Sequence, residues 1–224
     1  MSSPRPRPAL DRAAVLARAV ELADEGGLEP PSMRRLAESL GVTPMALYHH
    51  VADHEALVDG MVETVLEAIA DTSTEGGWRP AVRRRILAAR AEILAHPWAT
   101  RAIETRHAAS APALAHMDWI MRRLFEGGLS ADLVHHAMHA LSTRMWGFTR
   151  EVFPTPTMPE GAEERAAALA GFASRYPSIV RMATTAPHAS AECDSDAEFA
   201  FALDLLLDGI ERRHEGGWSS ELRS

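Results

Sequence analysis

The sequence predicts an all-α protein, and three observations carry that prediction. Apolar residues recur at i, i+3, i+4 and i+7 through almost the whole chain. No convincing alternating run and no Asn-Gly hairpin signal interrupts them. Glycine and proline punctuate the periodic stretches where helices would start and stop. The 46% apolar content of the 224 residues is ample for a packed core. No apolar run approaches the roughly 18 residues of a membrane span, so no membrane partner is expected. Two early arginines have no apolar block after them, and no secretory signal is expected. A lone cysteine, Cys193, excludes an internal disulfide framework and fits a cytoplasmic protein.

In chain order, a Pro-Arg arm from Pro4 to Pro8 carries Arg5 and Arg7. A first helix should run from about Asp11 to Glu25, with an apolar stripe of Val15, Ala19, Leu22 and Ala23, and Gly26-Gly27 closing it. Met33, Leu36, Ala37 and Leu40 then make one face of a second helix. Gly41 follows, where a helix exit favours a left-handed backbone. Thr43 can cap the next helix through its hydroxyl, and Pro44 suits the first helical position. Leu47 and Val51 return to the core, which leaves Pro44, Met45, Ala46, Tyr48, His49 and His50 facing outward. Two short helices around a tight turn are the sequence form of a helix-turn-helix that reads double-stranded DNA.

A fourth helix is expected over about Asp53 to Ala70, capped by Asp53 and carrying Leu57, Met61, Val65 and Ile69. The soft stretch after it divides a DNA-binding domain, residues 1–70, from a larger second domain, residues 78–214. Helices there should run near Pro80 to Ala95, Trp98 to Arg106, Ala111 to Glu126 and Ser130 to Val152. After the Pro-rich loop 154–161 come helices near Ala162 to Arg175, Ser178 to Thr184 and Ser195 to Arg213.

The net charge of −8 is unevenly spread. Residues 1–52 hold six arginines (5, 7, 12, 18, 34, 35) and six acids (11, 21, 24, 25, 29, 38), so the remainder carries the whole deficit. Phosphate contacts act within a Debye length of about 8 Å, so local distribution matters more than the sum. Every fixed cation is arginine, since the chain has no lysine. Arg34 and Arg35 open the supporting helix, where Arg34 is placed for a phosphate or guanine. Tyr48 offers its hydroxyl to a phosphate. Arg5 and Arg7 either enter a minor groove as an extended arm or form a free tail.

These residues resemble the tetracycline-repressor family of bacterial regulators. The resemblance is strongest over residues 12–66, where Met-Arg-Arg-Leu-Ala-Glu-Ser-Leu-Gly-Val-Thr-Pro-Met-Ala-Leu-Tyr-His-His-Val is followed by His-Glu-Ala-Leu-Val-Asp-Gly-Met. More weakly, His96-Pro97-Trp98-Ala99 and the helices after it are similar to a tetracycline-repressor type of C-terminal domain. The resemblance implies a homodimer, an operator-reading head, and a C-terminal chamber in which a small-molecule effector changes the head spacing. Where many members have a lysine near the start of helix four, this chain offers Ala52, Asp53 and His54, so a phosphate contact there is weakened or falls to His54, and modest or pH-sensitive operator binding is expected.

Met117, Ile120, Met121 and Leu124 read as plain core or as chamber wall, a role that suits methionine's adaptable thioether. The resemblance groups them with Trp98, Arg106, His107, His135, Met138, His139 and Trp146 as a pocket for an apolar, aromatic effector. The alternative is a metal-binding module or metal-dependent enzyme on the histidine helix, because His135 and His139 share a face as zinc ligands can. No glutamate follows in the His-Glu-x-x-His manner, and no cysteine lies nearby. No nucleophile elbow or phosphate-cradling loop is present, so neither an enzyme nor a cofactor is expected. Dimerisation is expected on the helices from Ser130 and from Ser195. In the latter, Phe199, Leu203, Leu206 and Ile210 form one stripe, and Phe201 and Leu205 a second edge.

Overall fold

A computed structural model of the chain describes residues 10–27, 29–69, 73–105, 110–147, 159–185 and 195–223. Among these residues there are α-helices and one short 3-10 turn, with no strand. The helices are α1 (Arg12–Gly26), α2 (Met33–Leu40), α3 (Pro44–Leu47), α4 (His54–Glu67), α5 (Trp78–Ala95), α6 (Pro97–Glu104), α7 (Ala111–Glu126), α8 (Ala131–Gly147), α9 (Ala162–Arg175), α10 (Pro177–Thr185) and α11 (Ser195–Glu215).

The chain divides into two compact units, residues 1–139 with 207–224, and residues 140–206. In the first, Asp11 caps α1 by accepting from the Ala14 N–H at 2.8 Å, and Asp53 caps α4 by accepting from the Ala56 N–H at 2.7 Å. Each cap satisfies a donor that a helix start leaves open. The anticipated stripes of α1 and α4 are all buried. They pack with Leu36, Leu47 and Val51, and with Trp98, Ala99 and Ala102 of α6, in one hydrophobic core. The head and the start of the second half therefore share an interior.

Gly60 lets α1 and α4 come close, since a Cβ there would stand 2.7 Å from Leu16 Cδ2. The end of α11 is tied to α5, where Arg79 pairs with Asp208 and, at 3.5 Å, with Glu211. The C-terminal tail returns to α8: Ser220 N–H donates to Asp132 at 2.6 Å, and Trp218 meets the His136 ring edge-on at 5.2 Å.

In the second unit α9 packs on α10, and Phe172 and Tyr176 stand 5.0 Å apart, centroid to centroid. Along α11 the buried residues are Phe199 and Leu203 in the second unit and Leu207 and Ile210 in the first, while Leu206 is half-buried. That corrects the stripe expected from sequence. Residues 205–207 are three consecutive leucines, so a helical period fits either Leu206 or Leu207, and packing selects the second.

Candidate DNA-reading head and effector region

The reading element is built from α2 outward. The Ser32 hydroxyl accepts from the Arg35 N–H at 3.3 Å and starts α2. Gly41 ends it in the left-handed region at φ 67°, a conformation costly for a residue with a Cβ. Its N–H and that of Val42 return to the carbonyls of Glu38 and Ala37, which closes the turn tightly. Pro44 opens α3 as anticipated. Thr43 takes the extended cap backbone, but its hydroxyl makes no cap hydrogen bond, contrary to the sequence expectation. In its place the Thr43 carbonyl accepts from Ala46 N–H at 3.0 Å.

Helix α3 is a single turn anchored by the fully buried Leu47, and Val51 anchors the chain again just beyond. Around those anchors Pro44, Met45, Tyr48 and His49 are exposed, Met45 at 70% and Tyr48 at 46%. Ala46 and His50 are half-buried. Four of the six residues expected to face outward are therefore exposed. Arg34 is 86% exposed and donates to Glu38 one turn on, at 2.9 Å. His54 is exposed, and its Nε2 lies 3.2 Å from the Pro31 carbonyl. Arg5 and Arg7 lie outside the described residues.

Behind the head, Asp24 near the end of α1 joins α1 to α6. One carboxylate accepts from Trp98 Nε1 at 2.8 Å and from His96 Nδ1 at 2.9 Å. Trp98 is fully buried in the core shared with the head. It does not join the candidate pocket side chains of α7 and α8. A second junction lies at the C-terminal end of α4. Arg85 of α5 donates to the Ile69 carbonyl and to His116 Nδ1, both at 3.3 Å, and sits 5.4 Å over the Trp119 ring. Burial, helped by the Arg85 charge, pushes His116 down to about 4. Its ring is neutral near pH 7 and can accept that hydrogen bond. Asp24, Arg85 and His116 carry no sequence signal, because each acts through partners many positions away.

In the effector region Ile120, Leu124 and Met138 are buried, Met121 is half-buried and Met117 is exposed. His135 and His139 lie on the exposed face of α8 with ring centroids 4.6 Å apart. The described structure does not gather them with the buried side chains. Among the described residues, no group of three or more His, Cys, Asp or Glu is arranged to hold a metal ion. Arg106 and His107 lie outside the described residues, as does the side chain of Trp146.

Residues 15–61 match the family of bacterial regulatory proteins called the tetR family, and residues 72–214 match the tetracycline-repressor-like C-terminal domain. The chain belongs to the tetracycline-repressor family. It is 32% identical to the class C tetracycline repressor protein of Escherichia coli over 207 residues, covering 91% of each chain. It is similar to a possible TetR family transcriptional regulator from Streptomyces coelicolor A3(2), with TM-score 0.70 and 30% identity over 90% of this chain and 99% of that one. The structure of ActR from Streptomyces coelicolor in complex with actinorhodin matches at TM-score 0.69 and 25% identity, over 93% of this chain and 98% of that one.

As a member of this family, the chain is a ligand-responsive, DNA-binding transcriptional repressor that acts as a dimer. Its helix-turn-helix head is the DNA-binding part, and the helical C-terminal part belongs to the effector. No helix of the described residues is long and apolar enough to cross a membrane.

Proposed function

We propose that this cytoplasmic repressor, which has no enzymatic activity, holds a near-palindromic operator through residues 1–70 and is released by a small apolar, aromatic effector bound within residues 78–214. The observation that carries the reading is the outward face of α3, which the two buried anchors Leu47 and Val51 hold in place. Met45 on α3, and Tyr48 and His49 in the turn just after it, project as groups for base edges and phosphates. Arg34, Thr43, Pro44, Ala46, His50 and His54 complete the interface, with Arg5 and Arg7 as its arm. Two such heads require half-sites about 34–36 Å apart, or one turn of the duplex.

The effector set is Met117, Ile120, Met121, Leu124 and Met138, with Arg106, His107 and Trp146 beside it; Trp98, in the core shared with the head, and His135 and His139, on the exposed face of α8, are left out of it. Buried apolar side chains on both α7 and α8 support an apolar ligand, and the structural likeness to ActR bound to actinorhodin supports a pocket in this half. Release follows if the effector binds the non-reading head spacing better than the reading one. A coupling of about 1–3 kcal/mol lowers operator affinity roughly 5- to 150-fold. The dimer contact is assigned to α8 and α11.

Selection of bound sequences from a random duplex library tests the DNA reading, and a palindromic consensus is the expected result. Recovery of no consensus, with Tyr48→Ala binding as the unsubstituted chain does, overturns it. Titration of aromatic compounds, actinorhodin among them, into the operator complex tests the effector class, and the assignment fails if none of them releases DNA.

A further inference from the structure

We propose that the phosphates flanking the reading segment are held by His49, His50 and His54 as imidazolium groups, so that DNA binding takes up protons. The inference rests on the DNA-binding reading above and concerns the chemistry of its backbone contacts. From Thr43 to His54 the chain presents no arginine and no lysine, and these three rings are its whole capacity for positive charge. A recognition segment in a major groove runs out toward the sugar–phosphate backbone, where fixed cations ordinarily supply the attraction.

The neighbouring fixed charges supply only part of that attraction. On α2, Arg34 is bonded to Glu38 at 2.9 Å, and the Arg35 guanidinium lies 3.2 Å from where a Cβ on Gly26 would stand, turned toward α1. On α4, the Asp53 carboxylate accepts from the Ala56 N–H, and Glu55 is an exposed acid in the first turn. With Arg34 and Glu38 offsetting each other, a neutral histidine segment beside Asp53 and Glu55 presents net negative charge to a polyanion. Protonation reverses that sign.

The geometry at His54 shows how a second donor becomes available. The Pro31 carbonyl can only accept, so Nε2 carries the proton in that contact and Nδ1 is the acceptor of the neutral ring. On protonation Nδ1 gains a hydrogen, and the ring can donate to a phosphate while Nε2 keeps its tie to Pro31. His49 is exposed and His50 half-buried. Histidine is the residue type that can gain a proton, and with it a charge, near neutral pH.

Linkage fixes the size of the effect. Each proton taken up on binding raises the association constant tenfold for every pH unit that the solution falls. Each imidazolium–phosphate contact also steepens the dependence of log K on log salt by about 0.9. The test measures fluorescence anisotropy of a labelled random-sequence duplex and of the selected operator near pH 6 and near pH 8, across a salt series. The expected result is at least tenfold tighter binding at the lower pH, with a salt slope steeper by about 1–3. A triple variant, His49→Gln, His50→Gln and His54→Gln, should bind weakly at both pH values with one shallow slope. Its circular dichroism and melting should match those of the unsubstituted protein, because glutamine can keep the donor to Pro31. Binding and slope that do not change with pH overturn the proposal, as does a triple variant that retains the full pH response. A chain that binds neither duplex at either pH overturns both this proposal and the reading beneath it.

Discussion

Replacing Asp24 by Ala removes one carboxylate that two side chains at the start of α6 share. The buried indole N–H of Trp98 loses its 2.8 Å acceptor, which costs about 1–3 kcal/mol. His96 is one-fifth exposed and recovers part of its bond from solvent, so its loss adds about 1 kcal/mol. Together the cost is about 2–4 kcal/mol. At about 2–4 °C per kcal/mol for a chain of this size, the melting temperature falls by about 10 °C. Asp24→Asn keeps one acceptor oxygen and should lose about half as much. Operator affinity should fall about 5-fold or more while the chain is still folded, because the tie between α1 and α6 sets how the head is held. Urea unfolding and anisotropy read the two effects separately. A double-mutant cycle of Asp24→Ala with Trp98→Phe isolates the shared bond, for which a coupling near 1–2 kcal/mol is expected. An additive cycle, or an Asp24→Ala protein that melts and binds as the unsubstituted chain does, refutes the reasoning.

His116 makes stability depend on pH in a definite direction. Its folded-state value of about 4 lies below the ordinary 6.5, so the unfolded chain takes up a proton that the folded chain refuses. Stability is therefore full above about pH 6.5 and falls by up to about 3 kcal/mol as the pH drops toward 4; His116→Gln should flatten that part of the urea-unfolding profile. Phe201→Glu with Leu205→Glu, at positions 62% and 53% exposed in the single chain, should leave the fold intact and give monomers by sedimentation. Gly127→Ala would place a Cβ 2.7 Å from Trp78 Cγ and 3.0 Å from its Cβ, and should destabilise by about 1–3 kcal/mol in thermal melts. Gly60→Ala should cost less, because its nearest contacts are the side-chain ends of Leu16 and Arg12.

Helix positions were legible because each is written locally. The stripes of α1, α2 and α4, the cap at Asp53 and the left-handed Gly41 all follow from residues within a few positions of one another, while Asp11, expected as the first residue of α1, is its cap. The family was legible for the same reason, since its head motif is contiguous. Tertiary choices were not legible in that way. Nothing near Trp98 in sequence says that its indole bonds to a carboxylate 74 residues earlier, and spacing alone cannot say which of three adjacent leucines on α11 turns inward. The exposed placement of His135 and His139 on α8 is equally invisible to spacing, which says only that they share a face. At Thr43 the sequence identified the cap position, while the local backbone decided that the hydroxyl would not make the bond.

The single turn of α3 bears on how such a protein diverges. Four helical residues are too few to hold their own shape in water. The reading surface is therefore shaped by Leu47 and Val51 beneath it and is largely indifferent to the side chains it displays. A substitution at a position as open as Met45 changes folding by no more than about 0.5 kcal/mol. The same change can alter the preference for a base pair by about 1–3 kcal/mol. Descendants of this chain can consequently drift to new DNA addresses one residue at a time, with scarcely any penalty to the scaffold that carries them.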